Sequence, residues 1–267
     1  MSLSKGFMDV VSAAYGRFMS GPRLARLNEA LLKATLRARG YQDWGGTGEA
    51  WFVGVQLPKL DPRVVLDVGA NVGDYAQRVL DSTSATVHCF EPQPSVAKGL
   101  AERLALLGAR AVVVPRGVGA ESGVLELRYN PDSSELASFS AEVDAISYVR
   151  NVERIEVPVV SLDDYAAEVG LTRVDLIKID TEGFEREVLL GAERVLRELR
   201  PALVQLEFNW HHLLRGTSLY ALAQLLPDYD CYQLVPGGWV CRDPMDPLAN
   251  VYRQTNFVFV RRGVVVP

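Results

Sequence analysis

The sequence predicts an α/β protein, a largely parallel sheet with helices on both faces and a helical appendage before it. Three observations carry this. From residue 63 onward, short β-branched apolar runs alternate with amphipathic stretches. The first of those runs, residues 63–68, is largely β-branched and apolar, as strands buried on both faces are. The chain also has 267 residues, 48% of them hydrophobic and 23% charged, which is enough for a core that needs neither disulfides nor a structural metal.

The elements follow in order. Residues 3–20 place Leu3, Phe7, Val10, Ala14 and Phe18 on one helical face, and Gly21-Pro22 stops that helix. Residues 23–39 repeat the pattern with Leu24, Leu27, Leu31, Ala34 and Ala38, ahead of Gly40. A glycine-rich hinge at 45–48 and a helix over 49–57, ended by Pro58, complete an appendage of residues 1–60. The sheet domain is 61–267. Strands are expected at 63–68, 85–90, 111–114, 174–179 and 202–208, with later ones at 231–235 and 256–260. Helices are expected at 74–80, 95–107, 184–199 and 218–226. Segments 124–129 and 153–160 alternate and read as additional strands flanking a long polar stretch, 130–151. Ser161-Leu-Asp-Asp164 reads as a helix start resembling a capping box.

Charge divides the chain. The net charge is −5, yet residues 1–40 hold seven bases and two acids, a formal +5 that leaves −10 for the rest. An acidic body is a poor general binder of nucleic acid, where phosphate neutralisation dominates. Nothing approaches the roughly 18 uninterrupted apolar residues of a spanning helix. Asp9 interrupts the apolar stretch after Lys5, so no signal peptide is read. The three cysteines, Cys89, Cys231 and Cys241, do not form a disulfide framework, which suits a cytoplasmic protein. Cys231 and Cys241 flank a turn at 236–238 but are out of step for facing each other.

Ligands of such sheets bind beyond the carboxyl ends of the strands, where strand order switches. After the first strand stands Asp67-Val-Gly-Ala-Asn-Val-Gly-Asp-Tyr75. Gly69 and Gly73 allow a tight turn and a close backbone approach. The spacing is G-x-x-x-G, with an acid two residues earlier, which suits a cationic group such as the ammonium of an amino-acid moiety better than a pyrophosphate. An ordinary strand-to-helix turn is the plainer alternative. After the second strand, Glu91 can accept from a ribose diol. After the fourth, Lys178-Ile-Asp-Thr-Glu-Gly-Phe-Glu185 places Asp180 at the crevice, with Glu182 and Glu185 read as caps of the next helix.

These blocks resemble the FkbM-type S-adenosylmethionine-dependent methyltransferases. The resemblance rests on DVGANVGDY (67–75), FEP (90–92), VPVVSLDDY (157–165), LIKIDTEGFEREVLLGA (176–192) and RPALVQLEFN (200–209). It spans about residues 63–209, with Asn71 in place of a middle glycine of the general methyltransferase loop. It implies a Rossmann-like seven-stranded sheet whose reversed last strand is 256–260. It also implies O-methylation of a hydroxyl-bearing acceptor, often a sugar in a glycan, glycolipid or secondary metabolite. Asp67, Gly69, Asn71 and Gly73 would hold the methionine end of S-adenosylmethionine and Glu91 its ribose, with Asp180 and Glu182 at the methyl-transfer crevice.

Transfer to an alcohol requires a proton acceptor or a metal. His211 and His212, just past the fifth strand's end, are candidate bases; His88, inside the second strand, reads as structural. The metal alternative is Mg²⁺ on Asp180, Glu207 and Asn209, oxygen donors suited to a hard cation. The stretch 130–151, with Ser133, Ser134, Ser138, Ser140 and Tyr148, is a candidate acceptor region or lid. Trp210, Trp239 and Tyr232 are candidates to stack on a sugar ring. The basic helices of 1–40 admit three roles: a roof over the cofactor, a homodimer seam, or contact with an anionic membrane. The rival functions are a non-catalytic cofactor- or glycan-binding protein and a methyltransferase for nucleic acid or another acceptor. Asp180-Thr-Glu-Gly stands where adenine N-methyltransferases carry an Asn/Asp-Pro-Pro-aromatic strip.

Overall fold

A computed structural model describes residues 5–41 and 48–265. Residues 3 and 4 of the first expected helix and 45–47 of the expected hinge lie outside the described residues. The appendage begins with α1 (Lys5–Met19) and α2 (Ala25–Ala38), joined through a turn at Gly21-Pro22. A short α3 (Glu49–Trp51) runs on through a wide turn, Phe52–Gln56, and a tight one, Leu57–Leu60. Pro58 therefore opens the last turn instead of ending the helix, because its missing N–H costs nothing in a first turn.

The sheet strands and helices then follow: β1 (Val64–Val68), α4 (Asp74–Ser82), β2 (Thr86–Phe90), α5 (Pro94–Leu104), β3 (Ala111–Val114), β4 (Gly117–Val118), β5 (Gly123–Asn130), β6 (Ser133–Ser138), β7 (Glu153–Val160), α6 (Leu162–Glu168), β8 (Leu176–Ile179), α7 (Glu185–Leu190), β9 (Leu203–Phe208), α8 (His211–Leu214), α9 (Leu219–Ala223), β10 (Tyr229–Val235), β11 (Gly238–Cys241) and β12 (Thr255–Arg261). Ser161 caps α6 as its sequence predicts, its Oγ accepting from Asp164 N at 3.0 Å. The helix expected over 184–199 is broken, with α7 stopping at Gly191 and a wide turn following at Val195–Leu199. Gly191 lies so close to Gly119 that a Cβ would fall 2.0 Å from the Gly119 carbonyl oxygen.

The main sheet has eight strands in the order β11-β10-β12-β9-β8-β1-β2-β3. That is one more than the expected seven, because the hairpin turning at Pro236-Gly237 adds β11 as an edge. Strands β9, β8, β1, β2 and β3 are parallel, and β12 runs antiparallel between β9 and β10, as the reversed strand expected at 256–260. Tyr232 faces Cys241 across the hairpin, so Cys231 and Cys241 are out of step as expected. One face of the sheet buries Leu66, Phe90, Ile177, Ile179 and Leu206 against Tyr165, Val188 and Leu219 of the covering helices. The other buries Val65, Val87, Leu176 and Val258 against Phe52, Leu57, Tyr75, Val79 and Leu100. The appendage segment 49–60 is thus part of the second helical layer.

The additional strands 124–129 and 153–160 do not extend the main sheet. They form β5 and β7 of a separate four-stranded sheet, β4-β7-β5-β6. Strand β6 comes out of the stretch expected as a loop.

Candidate active site

From β1 the chain steps outward to β2 and β3, then returns on the opposite side as β8 and β9. The switch in strand order therefore lies between β1 and β8, and a crevice opens beyond their carboxyl ends. There a cavity of about 870 Å³ is lined by Gly69, Asn71, Glu91, Asp180, Glu182, Glu207 and His211. Its far wall is β6 together with Tyr148, Trp210 and residues 252–254.

The cofactor-loop candidates divide. Gly69 sits at φ +79, and a Cβ there would fall 1.8 Å from the Asp180 carbonyl oxygen, so only glycine lets β1 and β8 end this close together. Asn71 also takes a left-handed conformation and donates its backbone N–H to Glu91 Oε2 at 3.0 Å. Glu91 Oε1 accepts from Gln93 N at 2.8 Å. Burial nonetheless dominates these two hydrogen bonds and pushes the Glu91 carboxyl up to about 7. Gly73 opens α4 beside Leu100 and does not line the cavity. Nor does Asp67. Its carboxylate is fully buried behind the loop, with Oδ1 at 3.4 Å from Lys178 Nζ, which also lies 3.2 Å from Asp180 Oδ2. Burial alone would lower the Lys178 ammonium, but Asp180, Asp67 and Glu49 around it hold it above its ordinary value.

The acids at the β8 and β9 ends converge. Asp180, Glu182 and Glu207 each bring a carboxylate oxygen within 4.8 Å of the others. Burial, then the charges of Asp180 and Glu182, push the Glu207 carboxyl well above its ordinary range, and Glu207 shares a hydrogen bond with Asp180. Asn209 is already committed: its amide nitrogen reaches Glu207 and Glu182, and its oxygen accepts from His211 N at 2.9 Å.

The two histidines part company. His211 lines the cavity and places Nδ1 2.6 Å from Glu182 Oε2. His212 points into the core, stacks on Phe208 and sets Nε2 3.0 Å from Glu185 Oε2. Glu185 is the helix-start acid the sequence suggested, with Oε1 accepting from the Thr181 and Gly183 N–H groups. Glu182 is not a cap: its left-handed φ of 53 and that of Gly183 turn it toward His211. His88 is structural, with Nδ1 2.7 Å from the Tyr165 hydroxyl.

The 130–151 stretch does form a wall of the cavity. Ser134 Oγ donates to Asn71 Oδ1 at 2.6 Å and Ser138 Oγ to the Glu182 carbonyl at 2.9 Å, so β6 is fastened to both ends of the site. Of the aromatic candidates, Trp210 lines the cavity beside Tyr148, with ring centroids 5.4 Å apart. Trp239 and Tyr232 instead pack together 5.3 Å apart, with Trp239 against Trp51 and Phe52, on apolar surface that the appendage covers. Two features escape a reading of the sequence. Tyr252, Arg253 and Gln254 reach the cavity from the loop before β12. Behind the site, Gln205 accepts from the Tyr75 hydroxyl and donates to Glu49 and Asn256, which ties the appendage to the sheet. A glutamine within the apolar run 203–208 was the available signal for the second.

Residues 67–231 match the family described as the methyltransferase FkbM domain. The chain belongs to the FkbM methyltransferase family. Membership makes it an S-adenosylmethionine-dependent methyltransferase. It is 30% identical over 193 residues to the 2-O-methyltransferase NoeI of Sinorhizobium fredii, covering 68% of this chain and 78% of that one. It is 31% identical over 164 residues to the 31-O-demethyl-FK506 methyltransferase FkbM of Streptomyces tacrolimicus, covering 52% and 62%. Among solved structures, the O-methyltransferase of Bacillus cereus in complex with SAH aligns over 94% of this chain and 97% of that one, at 13% identity and a TM-score of 0.45.

Proposed function

We propose that this FkbM-family protein moves the methyl group of S-adenosylmethionine to a hydroxyl of a sugar in a glycan, glycolipid or secondary metabolite. The observation that supports the reading is a single cavity lined by Gly69, Asn71 and Glu91 and also by the Glu182–His211 pair, Asp180 and Glu207. Among the described residues, the lining acids Glu91, Glu135, Asp180, Glu182 and Glu207 outnumber the lining arginine, Arg253, which suits a cationic cofactor. Glu91 suits the ribose diol, and the loop of Gly69 and Asn71 leaves room for the methionine end. Asp67 and Gly73 act from behind, holding Lys178 and the start of α4. The names of NoeI and FkbM both specify oxygen methylation, which supports a hydroxyl acceptor.

When bound, the cofactor supplies an electrophilic methyl on a sulfonium. The chain does the rest. Alignment of the acceptor oxygen can supply about 7–11 kcal/mol of the barrier. His211 takes the hydroxyl proton on Nε2, while Glu182 orients the ring through Nδ1 and steadies the resulting charge. Tyr148 and Trp210 offer an apolar wall for one face of a sugar ring. His212 supports Glu185 and takes no proton from the acceptor.

The test is calorimetry with S-adenosylmethionine and with NAD, followed by a methyl-release assay on an acceptor panel. Binding of neither ligand, or binding without turnover on any hydroxyl acceptor, would overturn this reading; the second result would favour a non-catalytic binding protein.

The carboxylate convergence supports a second reading, in which Mg²⁺ sits on Asp180 and Glu207, with Glu182 supplying the oxygen that Asn209 does not. Exhaustive chelation separates the two. Full activity afterwards leaves the histidine mechanism, whereas activity lost to chelation and restored by Mg²⁺ gives the step to the metal.

A further inference from the structure

Among the described residues, the helical pair α1–α2 is joined to the body near its end. Among the described residues, Leu36 and Tyr41 are buried, and Arg39 and the Tyr41 hydroxyl donate to the Leu248 carbonyl. The two helices are tied to each other by Asn28, which accepts from the Tyr15 hydroxyl at 2.8 Å and donates to the Met19 carbonyl at 2.6 Å. Their apolar stripes remain open. Val10, Val11 and Phe18 on α1 and Leu27, Leu31 and Leu32 on α2 are exposed, Phe18 to 79%. Single exposed apolar residues need no explanation, but a stripe continued over two helices does. Beside the attachment point, Met245 and Leu248 are exposed as well, at 68% and 59%.

Charge says what fits this surface. At about 100° per residue, Arg26, Lys33 and Arg37 fall along one flank of the Leu27–Leu31 stripe of α2. Residues 1–40 carry a formal +5 and the remainder −10. Two copies of the pair laid against each other would bring like charges together. An anionic bilayer attracts the pair, repels the acidic body and accepts the apolar stripe at the level of its headgroups.

We propose that α1–α2, with Met245 and Leu248, docks this protein peripherally on an anionic phospholipid surface. No spanning is involved: among the described residues no helix is long and apolar enough to cross a membrane. Tyr252, Arg253 and Gln254 follow the exposed loop and line the cavity, so docking sets the rim of the site near the bilayer. The docking itself is independent of the proposed methyl transfer.

The test is flotation of the full chain with vesicles of phosphatidylcholine alone and of phosphatidylcholine with phosphatidylglycerol. Binding is expected only to the anionic vesicles and is weakened by added salt. Arg26→Ala and Lys33→Ala should each lower the partition coefficient by about fivefold, and Phe18→Asp should abolish binding. Calorimetric binding of S-adenosylmethionine should be unchanged in all three, which separates docking from misfolding. Equal partition on both vesicle types, or none on either, overturns the proposal. Concentration-dependent self-association that Phe18→Asp removes, without vesicle binding, would assign the surface to a second copy of the chain instead.

Discussion

Glu182 holds His211 from the end of β8, with Oε2 2.6 Å from Nδ1, and this pair lies within the cavity that also contains Glu91 and Asn71. An imidazole held at one nitrogen is free to receive a proton at the other. His211→Ala is therefore expected to lower kcat by about 10²–10⁴-fold, the usual range for losing a positioned base. On the proposed assignment of the cofactor to Gly69, Asn71 and Glu91, its affinity should be unaffected. Glu182→Gln keeps a partner on Nδ1 but removes the charge, so it should fall between His211→Ala and the unaltered protein. Single-turnover methyl transfer with calorimetry on each variant checks both. Full turnover in His211→Ala would remove the histidine from the chemistry.

Breaking the neighbouring pair should instead cost stability. Burial pushes the Glu185 carboxyl up, yet the charge and hydrogen bond of His212 and the Thr181 N–H bring it down to about 2. A carboxyl held below its unfolded value stabilises the fold above that unfolded value, near 4.5. The stabilisation is lost as the pH falls from there through about 2. Urea unfolding from pH 6 down to about pH 2 should show this loss, and in Glu185→Gln the loss should be smaller. At neutral pH, His212→Ala should cost about 3–5 kcal/mol, because it strands a buried carboxylate.

The difference between these two histidines marks where the sequence stops being legible. Strand ends place residues at the crevice by topology alone, so the position of Asp180, Glu91 and the region after β9 at the cavity could be read directly. Adjacent residues His211 and His212 point in opposite directions from a four-residue helix, and nothing local says which faces the cavity. The rule that acids favour helix starts makes Glu182 a cap, but its left-handed backbone turns it to the cavity, where the family resemblance expects it. Asp67 ends up on Lys178 because the parallel register of β1 and β8 pairs these two residues, and a register between strands more than a hundred residues apart leaves no mark on either one. The second sheet was hidden for the same reason: β5 and β7 show their alternation, but not that they pair with each other.

Glu91 should make cofactor binding depend on pH. Its carboxyl is pushed up to about 7 by burial, which outweighs the two N–H groups it accepts from. A ribose diol donates to a carboxylate, so affinity should rise as the pH passes upward through about 7 and level off above it. The cofactor-free fold responds with the opposite sign. A carboxyl held above its unfolded value is most favourable below that value, and its contribution is lost as the pH rises through about 7. Calorimetric titrations with S-adenosylmethionine between pH 6 and about pH 8.5 would show the slope, and Glu91→Gln should be weaker throughout with the slope removed. A slope that persists in the variant would place the titrating group elsewhere.

Gly69→Ala tests whether the close approach of β1 to β8 is needed. Two penalties act together. The backbone sits at φ +79, which side chains with a Cβ rarely adopt, and the added methyl would fall 1.8 Å from the Asp180 carbonyl oxygen. Backbone cannot swing aside as a side chain can, so the end of β1 must move away from Asp180. That shift would disturb the bonds from the Gly69 and Ala70 N–H groups to the Phe90 carbonyl, at 3.1 and 2.9 Å, and with them the loop leading to Asn71. The variant should lose about 1–3 kcal/mol from the strained backbone, and lose affinity for S-adenosylmethionine beyond what its stability explains. Gly237→Ala is the control, since it also has a positive φ but open space around the new Cβ and lies in the hairpin away from the cavity. It should lose stability alone. Thermal unfolding and calorimetry on both variants separate the two effects, and equal cofactor affinity in the two would show that the Gly69 contact does not shape the site.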